Sequence, residues 1–213
     1  MRATLLKMFK KLPNQIPIFP LSGVIYFPKT NLPLNIFEQR YLDLVNDAIH
    51  KDKLMGMIQS IRKSKEVYTV GCLGEISDVE KSKDGRIFIN LTGLTRFEVI
   101  GETENSKLYR EFKVNYKKFN LDLEPIKEEI DIKSIIEKAR IFFKKSGLLL
   151  NWNEFEKLDN SQKINTLAMI APITNEEKQK LLESVSLQDK IVTLGNIVNF
   201  YLHEVDFSNQ TIQ

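Results

Sequence analysis

Residues 70–100 read Val70-Gly-Cys-Leu-Gly-Glu-Ile-Ser-Asp-Val-Glu-Lys-Ser-Lys-Asp-Gly-Arg-Ile-Phe-Ile-Asn-Leu-Thr-Gly-Leu-Thr-Arg-Phe-Glu-Val-Ile100. Two strand-like runs flank Asp84-Gly85, and in the second run Ile87, Ile89 and Leu91 alternate with Phe88, Asn90 and Thr92, the period of a half-buried strand. A two-residue Asp-Gly connection favours a type I′ hairpin turn, whose two central residues both need positive φ. Gly93 interrupts the second run, which indicates a bulge or sharp bend.

Further strand-like runs lie on both sides of this hairpin. Ile16-Pro-Ile-Phe-Pro-Leu21 is extended and apolar, and its two prolines predict an edge strand. Leu54–Ile58 and Tyr109–Tyr116 predict two more strands. The bend in the long hairpin and the presence of one helix favour a small closed or half-closed barrel.

The helix of this half is predicted to follow Asn35. Asn35 could cap it, and Glu38, three residues on, could complete a capping box. One face at helical spacing is apolar and is expected to enter the core; it comprises Phe37, Tyr41, Leu44, Val45, Ala48 and Ile49.

The chain after residue 120 predicts four helices and one short helix or turn around Trp152. An apolar stripe from Ile132 to Phe143 is followed by Gly147, which is placed to end its helix. Ser161 is the expected cap of the next helix, which Pro172 stops. Capping boxes at Thr174-x-x-Glu177 and Ser186-x-x-Asp189 open the last two helices.

These patterns predict the class α+β, with an antiparallel barrel followed by a helical bundle. The expected segments are a basic arm over 1–13, the barrel over 14–119, the helical part over 120–206 and a disordered tail over 207–213. The connection at residues 120–124 is the candidate hinge.

Composition narrows the function classes. The 213 residues carry 31 Lys and Arg against 28 Asp and Glu, and the charges are interleaved, which argues against a nucleic-acid partner because such partners usually require a clustered basic face. Cys72 is the only cysteine, which fits a reducing compartment, and we expect a cytoplasmic protein in which this thiol is a buried filler. No apolar run is long enough to predict a membrane span.

The motifs of common catalytic sites are missing from the sequence. No glycine is followed by lysine, so the chain lacks the loop that cradles ATP phosphates, and the dinucleotide motif Gly-x-Gly-x-x-Gly is also missing. His50 and His203 are far apart in the sequence, and one cysteine with two scattered histidines cannot build a structural zinc site. We therefore predict no cofactor, no metal and no catalytic residues.

Several motifs in order resemble the N-terminal, substrate-binding domain of Lon-type ATP-dependent proteases. They are Ile16–Leu21, Phe27-Pro28, Leu32-Pro-Leu34, Ile36-Phe-Glu-Gln-Arg-Tyr41, Val70–Ile76, Leu91-Thr-Gly-Leu-Thr-Arg-Phe97 and Pro172–Leu182. The resemblance covers about residues 14 to 205. It implies a bent PUA-like barrel followed by a helical bundle, in agreement with the periodicity.

The resemblance also implies a function. A free-standing member without the ATPase and peptidase domains would be a non-catalytic module that binds unfolded or degron-bearing polypeptides and works with a separate ATP-dependent protease. Residues Phe19, Phe27, Arg40 and Arg96 are the candidate polypeptide contacts, although Arg96 could instead pair with a carboxylate or carbonyl across the barrel. The alternative is an RNA-binding protein, since PUA-like barrels of other families bind RNA. The places to look for a binding surface are the proline-broken strand at 16–21 and the junction at 118–125.

Overall fold

The computed structural model describes residues 12–61, 64–124 and 130–210, with side chains up to residue 203. Most of the predicted basic arm, residues 1–11, lies outside this part. The chain divides into two compact units, Met1–Pro125 and Ile126–Gln213. None of the helices in the described ranges is long and apolar enough to cross a membrane.

The first unit is a six-stranded barrel-like sheet. Its strands are β1 (Gln15–Leu21), β2 (Asn31–Ile36), β3 (Leu54–Gln59), β4 (Val70–Lys81), β5 (Ile87–Thr103) and β6 (Arg110–Asn115). The order is β2-β5-β4-β3-β1-β6, and pairing of β5 with β6 closes the sheet. The interior is filled by residues such as Ile16, Ile18, Leu73 and Phe97. The predicted α+β class is confirmed, and of the closed and half-closed barrels that the sequence allowed the structure shows the closed one, with β1 and β3 paired in parallel within the otherwise antiparallel sheet.

The long hairpin is present, but its turn differs from the predicted one. The Ser82 amide donates to the Arg86 carbonyl over 2.9 Å, and the Gly85 amide donates to the Ser82 carbonyl over 3.2 Å. Of the loop residues, Gly85 has positive φ and Asp84 does not. The connection is therefore a three-residue loop ending in a left-handed glycine, and the type I′ prediction is wrong.

Strand β5 bends at Gly93, as predicted. In the pairing with β4, Gly74 lies opposite Gly93 and Leu73 opposite Thr95, so Leu94 is the extra residue of a bulge. A Cβ atom on Gly93 would lie 2.3 Å from the Phe27 carbonyl oxygen. The segment that precedes β2 thus packs directly on the backbone of β5, at a point that only glycine allows.

Strand β1 is an interior strand, which corrects the predicted edge. Residues 15–18 pair with β6, and residues 18–21 pair in parallel with β3. Each half of β1 pairs on one side only, and this arrangement accommodates Pro17 and Pro20 within a sheet interior. Among the described residues the open edge belongs to β2, which pairs with β5 alone and contains Pro33.

Helix α1 (Gln39–His50) starts later than the sequence predicted. Asn35 lies in β2, opposite Phe88. Glu38 is the N-cap residue, and in the described structure no side chain caps the helix, so the predicted capping box is wrong. Phe37 precedes the helix and is 66% exposed, which corrects its predicted place in the core, whereas Tyr41 is buried.

A 3₁₀ helix, Lys117–Leu123, ends the described part of the first unit. Phe119 is fully buried, and the Asp122 carboxylate binds Arg96 of β5 at 2.9 Å (Nε) and 2.7 Å (Nη2). The predicted hinge at 120–124 is therefore largely an anchored segment, and the predicted boundary at 119–120 falls inside it.

The second unit contains five helices in its described part. They are α2 (Lys133–Lys145), α3 (Trp152–Glu156), α4 (Asn160–Ile170), α5 (Asn175–Glu183) and α6 (Leu187–Gln210). Gly147 has φ +70° and ends α2, as predicted. Its amide donates to the Lys144 carbonyl, and the Leu148 amide donates to the Phe143 carbonyl.

The caps of the later helices partly match the prediction. Asp159, not Ser161, caps α4, because its carboxylate accepts from the Gln162 amide at 2.8 Å. The capping boxes at Thr174 and Ser186 are present as predicted. Helix α6 reaches Gln210, so residues 207–210 are helical and not part of a disordered tail; residues 211–213 lie outside the described part.

The capping box of α5 supports one stability prediction. Thr174→Ala removes the hydroxyl that accepts from the Glu177 amide over 3.2 Å, and we expect the free energy of unfolding of the second unit to fall by about 1 kcal/mol. Urea unfolding followed by the fluorescence of Trp152 measures this. Thr174→Ser retains the hydroxyl and should stay near the parent; an equal loss in both variants would contradict the capping role.

Candidate functional site

A cleft of about 670 Å³ lies at the end of the barrel where β1 and β3 finish and β6 begins. The first turn of α1 and the side chains of Ser60, Ser64 and Lys65 complete its walls. It is lined by Pro20, Leu21, Ser22, Glu38, Arg40, Tyr41, Ser60, Ser64, Lys65, Glu102 and Arg110. The cleft thus combines segments from both ends of the barrel sequence.

Tyr41 is the buried aromatic residue among those that line the cleft. Its ring packs edge-on against Phe19, with 4.2 Å between centroids. The hydroxyl donates to the Pro20 carbonyl over 3.5 Å, a long and weak bond. Burial raises the pKa of Tyr41; the nearby Arg40 and Arg110 guanidinium groups oppose that rise and Glu38 adds to it. The phenol therefore stays protonated and able to donate.

Arg110, the first residue of β6, is held by several partners. Its Nε and Nη2 donate to the two Glu102 carboxylate oxygens over 2.7 and 2.6 Å, and its Nη1 donates to the Lys65 carbonyl over 2.9 Å. Its guanidinium carbon lies 4.8 Å from the centroid of the Phe112 ring. The hydrogen bond to Arg110 lowers the pKa of Glu102, and the same bond raises the pKa of Arg110. This ion pair stays charged and fixed at ordinary pH.

Arg40 is held near the Tyr41 ring by the carboxylate of Glu38. Its Nε and Nη2 donate to one Glu38 oxygen over 3.0 and 2.7 Å. Its guanidinium carbon lies 4.5 Å from the centroid of the Tyr41 ring. Planar guanidinium groups stack well on aromatic faces, so Arg40 is oriented although it is half-exposed.

The four candidate contact residues separate into two pairs. Arg40 lines the cleft, and Phe19 supports it through Tyr41. Phe27 is fully buried and Arg96 is 3% exposed, so neither side chain is accessible to a partner in this structure. The bond of Arg96 to Asp122 is the structural alternative that the sequence left open.

The sequence did not indicate Lys65, Glu102 or Arg110 as site residues. They come from segments that no motif connects to α1. One signal was available: Glu102 and Arg110 carry opposite charges and are eight residues apart across the β5–β6 connection, a spacing at which paired strands bring side chains together.

A second cavity of similar volume lies in the second unit. It is lined by residues of the start of α2, of α3 and of α4, including Arg140, Glu156 and Lys163. Glu156 accepts from Arg140 over 2.7 Å and from Lys163 over 2.9 Å, and these bonds lower its pKa. None of the four candidate contact residues lines this cavity. In the described ranges, no group of three or more His, Cys, Asp or Glu is placed to hold a metal ion.

Comparisons with known proteins place the barrel and the helices in one family. The sequence model of the ATP-dependent protease La (LON) substrate-binding domain matches residues 15–199, which include the cleft. The chain belongs to this family. The LON substrate-binding family assignment confirms the resemblance found in the sequence motifs.

Relatives in bacteria agree with the family assignment. The chain is 26% identical to a Lon protease of Syntrophus aciditrophicus over 96% of its own length, and 24% identical to a Lon protease of Flavobacterium johnsoniae over 94%. It spans 27% and 26% of the length of those two proteins, respectively.

Solved structures share the fold. A Lon N-terminal domain protein from Xanthomonas campestris matches with a TM-score of 0.64 at 20% identity, over 85% of this chain and 97% of that one. The N-terminal domain of a Mycobacterium avium complex Lon protease matches with a TM-score of 0.59 at 15% identity, over 87% and 98%.

Proposed function

We propose that this chain is a non-catalytic recognition module that binds unfolded or degron-bearing polypeptides in the cleft at the end of the barrel. The observation that carries the proposal is the match of residues 15–199 to a family of substrate-binding domains. A polypeptide bound there would be delivered to an ATP-dependent protease. The role implies a cytoplasmic location, and the buried free thiol of Cys72 is compatible with a reducing compartment.

The geometry of the cleft supports side-chain recognition. Its volume is in the range of about 300–1,000 Å³ that is common for ligand sites. Pro20, Leu21 and Tyr41 offer apolar surface, while serine hydroxyls and charged groups surround them. This mixture suits a short extended segment that buries one or two side chains.

Binding of the polypeptide as an added β-strand at a sheet edge is less favoured by the structure. Both halves of β1 are already paired, so the proline-broken strand offers no continuous edge. The open edge of β2 contains Pro33, which lacks an amide donor, and prolines on edge strands disfavour further pairing. We therefore place recognition in the cleft and not on a sheet edge.

Filling the cleft tests the proposal. Ser22 is exposed at the rim, and Ser22→Trp should weaken binding of a labelled, reduced and alkylated unfolded polypeptide by about tenfold, measured by fluorescence anisotropy. Lys83→Trp, on the exposed hairpin loop, adds the same side chain outside the cleft and should leave the affinity unchanged.

Two results would count against the proposal. If the parent protein shows no binding of the unfolded polypeptide at tens of micromolar, the recognition role is wrong. If Ser22→Trp binds as tightly as the parent, the role stands but the cleft is not the binding site.

A further inference from the structure

We infer that the cleft selects polypeptide segments that present a carboxylate, either an acidic side chain or a C-terminal carboxylate. The inference rests on the proposed function and adds the chemical class of the group that the cleft recognises. It is carried by three cationic residues, Arg40, Lys65 and Arg110, which line the same cleft as Tyr41.

The two arginines are fixed before any ligand arrives. Arg110 is clamped by Glu102 and by the Lys65 carbonyl, and Arg40 is held by Glu38 above the Tyr41 ring. A ligand would not have to order these long side chains, which lowers the entropic cost of binding.

The clamped groups retain donors for a ligand. A guanidinium group has five N–H donors, and the bonds of Arg110 to Glu102 and Lys65 use three of them in the described structure. Within the described ranges, the Tyr41 hydroxyl makes one hydrogen bond, the weak 3.5 Å bond to the Pro20 carbonyl. Carboxylate oxygens accept strongly from such donors, and they do so in pairs.

The charges of the cleft favour an anion. Glu38 and Glu102 each form an ion pair with one arginine. Lys65 is exposed, and among the described residues its ammonium group forms no ion pair. The described residues of the lining therefore carry three cationic and two anionic side chains. The first turn of α1, which supplies Arg40 and Tyr41, adds the positive end of a helix that no side chain caps in the described part. An acidic group balances this excess, whereas a basic group would increase it.

Synthetic peptides of equal length test the selectivity. One peptide contains Glu residues and an amidated C-terminus, a second has Gln in place of every Glu, and a third has the Gln sequence with a free C-terminal carboxylate. We expect the Glu peptide to bind about tenfold tighter than the amidated Gln peptide at low salt, with the difference shrinking as salt is added. Tight binding of the third peptide would identify the C-terminal carboxylate as the recognised source.

Removing the charge of Lys65 tests whether the preference for the Glu peptide arises in the cleft. Lys65→Gln should reduce the preference for the Glu peptide over the amidated Gln peptide to about threefold, because the charge at the rim is removed. Lys83→Gln removes an exposed lysine on the hairpin loop and should retain the full preference.

The outcomes separate the two proposals. Equal binding of the Glu and amidated Gln peptides, with the unfolded polypeptide still bound, overturns the carboxylate selectivity and leaves the proposed function intact. A single-stranded RNA could also bind more tightly than the Glu peptide. If Lys65→Gln abolishes that RNA binding, the assignment to a carboxylate is overturned. Failure of every peptide and of the unfolded polypeptide overturns both.

Discussion

Replacing Asp122 with alanine is expected to lower the free energy of unfolding of the first unit by about 3–5 kcal/mol. The Asp122 carboxylate accepts from the backbone amide, Nε and Nη2 of Arg96 at 2.9, 2.9 and 2.7 Å. The Arg96 side chain is 3% exposed, so removal of the carboxylate takes a charged partner away from a buried guanidinium group. Hydrogen exchange of the β5 amides, measured with increasing urea, reports the loss.

A surface pair provides the matched control for Asp122. Asp84 contacts Arg86 at 3.0 Å, but both side chains are more than half exposed. Asp84→Ala should therefore change the stability by no more than about 1 kcal/mol. If Asp122→Ala behaves like Asp84→Ala, Arg96 finds another partner and the 3₁₀ helix is not anchored by this bond.

Gly93→Ala is expected to cost about 2–4 kcal/mol, because the added methyl group has no room. Its Cβ would lie 2.3 Å from the Phe27 oxygen and 3.0 Å from the Pro28 Cα. Relieving the contact would move Gly93 away from the segment before β2. This would break two hydrogen bonds, one from the Lys29 amide to the Gly93 carbonyl at 2.8 Å and one from the Gly93 amide to the Thr30 carbonyl at 2.9 Å. Urea unfolding followed by far-UV circular dichroism measures the change.

Gly101 offers the same substitution on the same strand. No atom of the described residues lies within 4 Å of a Cβ at this position, and the φ of Gly101 is not positive. Gly101→Ala should leave the stability unchanged or raise it by about 0.5 kcal/mol, because alanine has less freedom in the unfolded chain. A destabilisation as large as that of Gly93→Ala would show that β propensity, and not the close approach, controls both sites.

The parts of the fold that the sequence predicted correctly depend on neighbours in the chain. The long hairpin follows from alternation and an Asp-Gly pair, and the caps at Thr174 and Ser186 follow from residues three apart. The incorrect start of α1 and the incorrect edge assignment of β1 involved partners far away in the sequence. Asn35 carries a capping motif, but it pairs with Phe88 of β5, and this strand pairing overrides the local preference.

The candidate site was predicted only in part for the same reason. Arg40 was found because it lies in a motif with Tyr41. Arg110 and Lys65 come from segments 45 residues apart, and a single sequence carries no signal of their contact. Arg96 was predicted to be a contact residue because its partner, the carboxylate of Asp122, lies 26 residues away in a segment predicted as a hinge.

The pairing of β1 with β6 has a consequence for how the protein is made. Gln15 lies opposite Lys113, so this strand pairing joins segments separated by nearly the whole first unit. During synthesis β1 cannot pair with β6 until β6 has emerged from the ribosome. Until then the side chains of Ile16 and Ile18 are not fully buried. Such distant pairing forms slowly and exposes apolar surface while it forms. A nascent chain of this protein therefore passes through a state with the same exposed features as the unfolded polypeptides that it is proposed to bind.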